Sequence, residues 1–356
     1  MISNPRRGAC LPRLLAALCA LLALIAVVTG WLIFSPYQGF SGERFVDIAR
    51  GTGSRSIAGQ LRSAGAVRSS TAFMLVRMLR PRARLEAGEY RFDHPDSAWH
   101  VFDRIVRGDV FYYELTIPEG SNMFDIAAAV DQLGFLKGRD FLKAARKPDL
   151  IRDLAPHAPT LEGYLFPSTY RVTRQTTTAE LIRMMLAEFR KQWPKLDPPS
   201  GTKVNETVTL ASLVEKETAV PGERPIVASV YYNRLRIGMA LDCDPTTIYA
   251  ALLDDRYRGT IYKSDLASRN PYNTYTNPGL PPGPIANPGA ASLAAALHPA
   301  STTFLYFVRK PDSTGSHTFT STLAEHDIAV RAYRRGLRAE EMPQQPKPTV
   351  APAHRR

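Results

Sequence analysis

Residues 14 to 36, LLAALCALLALIAVVTGWLIFSP, carry no charge. Wound as a helix, this run would reach roughly 34 Å at about 1.5 Å per residue, enough for the hydrocarbon core of a bilayer. Such a segment divides the chain before anything else is known about it, because the residues beyond it must fold on one side of a membrane. Arg6, Arg7 and Arg13 precede the run, and only Glu43 and Arg44 come closely after it. The positive-inside bias therefore assigns residues 1–13 to the cytoplasm and everything after about residue 37 to the other side. A cleaved signal peptide is the competing reading. Against it stand the length of the apolar run and the lack of a small-x-small site before the aromatic GWLIF. Leu18 before Cys19 likewise argues against a lipid-modified cysteine.

Cysteine usage fits an exported chain that has no disulfide framework. Cys10 and Cys19 lie in or beside the apolar run, and Cys243 stands alone beyond it. With no CxxC, no structural zinc is expected. The formal charge of +12 would suit nucleic acid, but the topology puts the basic part away from the cytoplasm, so no nucleic-acid partner is expected. An anionic extracytoplasmic polymer, the membrane surface or simple solubility accounts for the charge instead.

After a short linker at 37–44, VDIARGTGSRSIAGQLRSAGAV (46–67) and LTIPEGSNMFDIAAAVDQLGFL (115–136) align without a gap at an offset of 69 residues. Each copy reads as a strand, a glycine turn (Gly51 or Gly120) and an amphipathic helix that ends near Gly65 or Gly134. EAGEYRFDH and the helix around SAWHVFDRIVRG complete the first copy, giving a module over 45–114 that resembles the LysM-like units that bind glycan chains. Structural duplication without sugar binding is the alternative. The fold class expected is α+β: a membrane helix, this small β–α module, then a mixed α+β domain over 115–340 with a glycan groove. That domain opens on the second repeat, and residues 341–356 form a Pro-rich disordered tail.

The chemistry centres on LASLVEKETAV (210–220). On a helical wheel Leu210, Leu213, Val214 and Glu217 share one stripe, while Val208, Ala211, Ser212 and Glu215 share another. The small residues of the second stripe suggest a shallow floor that a ligand can approach, with Glu215 standing over it. A poorly hydrated carboxyl there is suited to general acid catalysis. Glu217, nearer the core stripe, is expected to make a buried contact with Arg224 or Arg234. By spacing alone, a salt-bridged helix surface is the favoured reading of the pair, since Glu and Lys are strong helix formers.

Three longer stretches add to this: LASLVEKETAVPGERPIVASVYYNRLRIGMALDCDPTTIYA, YNTYTNPGLPPGPIANPGAASLAAALHPA, and LYFVRK with HTFTSTLAEH. Together they resemble the YceG-like family of endolytic murein transglycosylases, also called MltG, over nearly the whole chain. The resemblance implies that the first glutamate of E-K-E-T, here Glu215, is the catalytic acid/base. It also implies cleavage inside peptidoglycan glycan strands, between MurNAc and GlcNAc. A water-using glycosidase needs two carboxylates, whereas a lytic transglycosylase needs one, because the sugar's own 6-hydroxyl closes a 1,6-anhydro ring. No metal or diffusible cofactor enters. Asn233, Asp244, Thr246, Tyr272, Asn273 and Tyr275 match the family's NRL, DPT and YNTY elements and are expected to bind substrate. Capping, turn formation and aromatic packing are the alternatives for each. Glu162, in LEGYLF, is expected to line the cleft and help position Glu215 or the sugar; Glu223, beside Arg224, is expected to start a helix or form an ion pair. The implied partners are the glycan strands, the peptidoglycan synthases and, through the first helix, the membrane. A non-catalytic peptidoglycan-binding scaffold is the competing function.

Overall fold

The computed structural model describes residues 10–312 and 314–341. Arg6, Arg7 and the tail expected beyond Glu341 lie outside the described residues. The chain groups into two compact units, one running up to Glu114 and including Arg171–Thr176, the other comprising Leu115–Tyr170 and the chain from Thr177.

In the first unit α1 (Cys10–Phe34) contains one stretch, Arg13–Phe34, long and apolar enough to cross a membrane. Only its last turn is seated on protein: Ile33 is buried, the Phe34 ring lies 5.5 Å from Trp99, and the Arg68 guanidinium lies 4.4 Å from the Trp31 ring. The segment read as a linker is pinned. Tyr37 exchanges backbone hydrogen bonds with Asp96, and Gly39 N–H donates to Gly65 O at 2.9 Å. A Cβ on Gly65 would lie 2.6 Å from the Gly39 backbone, so this close approach requires glycine as much as the turn's φ of +77° does.

β1 (Arg44–Ile48) pairs antiparallel with β2 (Gly88–Phe92), with α2 (Ser54–Ser63) and α3 (Ser70–Leu79) between them and α4 (Ala98–Arg107) after. Ser69 and Ser97 cap α3 and α4 by accepting from Ala72 N and His100 N. Ile57, Leu61, Phe73, Tyr90 and Phe102 fill the core, each contributing about 1.5–3 kcal/mol by leaving water. The second repeat supplies β3 (Tyr113–Thr116), α5 (Met123–Gln132) and α6 (Gly138–Ala145), and β3 pairs with β4 (Thr169–Val172). All four repeat glycines, Gly51, Gly65, Gly120 and Gly134, have positive φ. The repeat is therefore one of backbone geometry as well as of sequence. In each copy a further helix (α3, α6) directly follows the expected strand, turn and helix.

The rest of the second unit is mostly helical: α7 (Thr178–Gln192), α8 (Val204–Glu217), α9 (Arg224–Arg236), α10 (Asp244–Leu253), α11 (Lys263–Leu266) and α12 (Ala290–Leu297). It closes with the antiparallel pair β5 (Tyr306–Arg309) and β6 (His317–Thr320), followed by α13 (Leu323–Glu341). Thr177 and Glu180 form a capping box that starts α7. α8 is the central element. Every residue from Thr207 to Val214 is buried, because α9, α10 and α12 cover it from several sides. A helix so enclosed has no single apolar stripe, which is why the wheel divided its residues into two.

Candidate active site

Burial ends at the last turn of α8. The small-residue face expected as a floor for ligand is instead filled by protein. Ser212 is fully buried, and its hydroxyl donates to Thr209 O and accepts from Ile285 N at 3.0 Å. A side chain on Gly163 would strike Pro284 and Val208. The small residues thus admit the 283–289 loop, which packs on α8.

Glu215, one turn further on, is 7% exposed. One carboxylate oxygen accepts from the Gly289 N–H at 3.0 Å, and the other meets the Arg224 guanidinium at 3.4 Å. Gly120, at the turn of the second repeat, leaves only 3.5 Å between a Cβ placed there and the Glu215 side chain, and Lys216 donates to its carbonyl at 3.2 Å. The carboxylate is therefore held between a cation and an amide, with Gly120 and Gly289 on its flank.

Glu162 lies deeper. It is fully buried and has no surface with which to line a cleft. One of its oxygens accepts from Met123 N (2.8 Å) and the Tyr249 hydroxyl (3.0 Å), the other from the Asn287 amide (2.7 Å). Asn287 also accepts from Gly163 N and Leu165 N, and donates to Ser121 O at 2.9 Å. The Asn287 carbonyl accepts from Gly120 N. The link between Glu162 and Glu215 thus runs through the two loops that carry Gly120 and Gly289. Glu162 itself meets neither Glu215 nor solvent.

Burial pushes the Glu162 carboxyl up to about 8 despite the three donors. The folded protein then keeps a proton that the unfolded chain releases above about 4.5. The stabilisation from this group is full below that value and is lost at about 1.4 kcal/mol per pH unit as pH rises towards 8. Urea midpoints measured across that window should fall for the native chain and fall less steeply for Glu162→Gln; parallel slopes would contradict the assignment.

Glu215 and Glu217 are two residues apart, about 200° around the helix, so they face different surroundings. Glu217 forms no hydrogen bond or ion pair with Arg224 or Arg234. It accepts from the Cys243 thiol at 3.1 Å, and burial raises its pKa, with Cys243 and Tyr231 opposing that rise. Arg234 is taken up by the carbonyls of Leu305, Ala240 and Leu241. Glu217 borders a cavity of about 380 Å³ lined also by Tyr231, Asp242, Asp244, Tyr275 and Tyr306. Asp244 and Tyr275 are joined by a 2.7 Å hydrogen bond and are exposed there. Thr246 and Asn273 are fully buried and brace the loops behind: Thr246 bonds Cys243 O and Thr274, while Asn273 holds the carbonyls of Asp265, Leu266 and Ser268. Asn233 clamps Thr302 O and Phe304 O, and Tyr272 packs on Tyr249 at 5.1 Å. Glu223 pairs with His317 at 2.7 Å and accepts from Thr218; burial pushes its pKa up, but these bonds outweigh it and leave the pKa lowered.

The match to the YceG-like family model runs over residues 46–332, taking in both repeats, α8 and the closing strand pair. The chain belongs to this family. It is 33% identical over 307 residues to an endolytic murein transglycosylase of Bacillus subtilis, covering 81% of this chain and 84% of that one. A Streptococcus pneumoniae endolytic murein transglycosylase is 30% identical over 322 residues, 79% of this chain and 57% of that longer protein. The crystal structure of a YceG-like protein from Listeria monocytogenes superposes with a TM-score of 0.51 at 30% identity, covering 81% of this chain and 99% of that one.

Within this YceG-like chain the groups that sequence reasoning passed over are the Asn287 side chain and the Gly289 N–H. Asn287 and Gly289 sit in IANPGA, where a polar residue with a Pro-Gly pair after it signals a turn. Nothing local says which distant groups that turn meets.

Proposed function

We propose that this chain is a membrane-anchored endolytic peptidoglycan transglycosylase that cuts the MurNAc–GlcNAc bond within glycan strands and leaves 1,6-anhydroMurNAc ends. The observation that carries this reading is Glu215: a nearly buried carboxyl group on a rigid helix, with an amide and a guanidinium already aimed at its oxygens. Glu215 delivers its proton to the glycosidic oxygen as the bond breaks. The carboxylate so formed is received by Gly289 N–H and Arg224, fixed donors that need no reorganisation when the charge appears. It then takes the proton of the sugar's 6-hydroxyl as that oxygen closes on the anomeric carbon. An intramolecular nucleophile avoids the entropy of fixing a water.

The cavity beside Glu217, with its exposed Asp244 and Tyr275, supports a separate sugar subsite of a glycan groove, on the other side of the last turn of α8 from Glu215. Thr246, Asn273, Asn233 and Tyr272 serve as its positioning layer. Arg13 at the start of the apolar stretch supports an orientation with the enzyme outside the cytoplasmic membrane; there the LysM-like repeats would bear on the strand, and peptidoglycan synthases would be the partners whose nascent strands it shortens. Incubating the full chain in detergent with isolated glycan strands and analysing the new ends by mass spectrometry tests this. Internal cuts with anhydro ends are expected; binding without shortening would instead make the chain a scaffold.

A further inference from the structure

We propose that Glu119 is a second catalytic carboxylate of this site, placed to stabilise the positive charge that develops at the anomeric carbon while Glu215 handles the proton. The inference rests on the transglycosylase reading above. Glu119 is exposed at the tip of the Pro118–Gly120 turn, and its carboxylate makes no hydrogen bond or ion pair among the described residues. It lies over Gly289, where a Cβ would collide with its oxygens. The Gly289 φ of −73° suits any residue, so the missing side chain leaves room for Glu119 and answers no demand of the backbone. The N–H of the same glycine donates to Glu215. Two carboxylates that meet the N–Cα–Cβ corner of one residue lie within about 8 Å of each other. Paired carboxylates flank a glycosidic bond at about 5–9.5 Å.

Two further observations point the same way. The turn itself does not need an acid: at the offset of 69 residues the first repeat has Arg50 where the second has Glu119, before Gly51 and Gly120. Gly289 is also the N-cap of α12, whose positive end eases the crowding of two carboxylates, as do Arg224 on Glu215 and Lys216 on Gly120 O. No bond forms to Glu119. Its charge acts across the gap, weakly in open solvent and strongly once a bound strand has displaced the water.

Steady-state kinetics on strands of defined length, with the full chain in detergent, test this. Glu119→Gln should lower kcat by about 10–100-fold with KM changed less than about threefold and the urea midpoint unmoved. Glu119→Asp should recover part of the rate. Glu119→Arg, which puts the first repeat's residue in the turn, should fold normally and turn over more slowly than the glutamine variant. Unchanged kcat in Glu119→Gln, or a loss tracking KM or the midpoint, would overturn the proposal. An inactive native chain, or one whose new ends are not anhydro, would overturn the transglycosylase reading itself.

Discussion

Glu215→Gln should lower strand cleavage by about 10³-fold or more, roughly 4 kcal/mol of transition-state stabilisation, while leaving the fold nearly intact. The size of the effect reflects a site with one proton donor. Glutamine fills the same space, and its carbonyl still accepts from Gly289 N–H or Arg224, so one of the two contacts survives. The stability cost is expected near 1 kcal/mol, since the lost contact is the long one at 3.4 Å and Arg224 retains some access to water. Parallel assays of anhydro-end release and of urea denaturation separate the two quantities. Turnover comparable to the native chain would remove Glu215 from the chemistry, and gross unfolding would show that the pair is a structural strut.

Asn287→Leu is expected to destabilise the second unit most, by about 3–5 kcal/mol. The residue is fully buried, and its side chain satisfies Gly163 N, Leu165 N, Ser121 O and Glu162. Leucine matches the size but leaves buried donors and an acceptor without partners, which costs more than a hydrogen bond is worth when made. Activity should fall with stability, because the same residue's backbone fixes Gly120, and its loop carries Gly289. A loss under about 1 kcal/mol in chemical denaturation would mean that the loops are held by their apolar contacts alone.

How much of the fold could be read in advance depends on how local each determinant is. The repeat was legible because the glycines at offset 69 impose turns wherever the chain goes, and all four have the left-handed conformation. The helix carrying Glu215, the threonine cap of α7 and the closing strand pair are similarly local. Ala211 and Ser212 misled because small residues admit any close neighbour, and here the neighbour is Ile285 and its loop, 73 residues on from Ser212. Glu217 misled for the same reason: its partner Cys243 is 26 residues away on another element. Glu162, read as a cleft residue, is wholly interior because Met123, Tyr249 and Asn287 converge on it from three distant segments. Resemblance pointed to Glu215, but only the folded chain supplied the amide and guanidinium beside it.

In the proposed mechanism the sugar's own hydroxyl, steered by Glu215, replaces water as the nucleophile. Cleavage of glycan strands by the native chain in ¹⁸O-labelled water separates the two nucleophiles. New ends that carry no label and are lighter than a hydrolysed end by one water are the predicted result; ¹⁸O at the new reducing ends would contradict it.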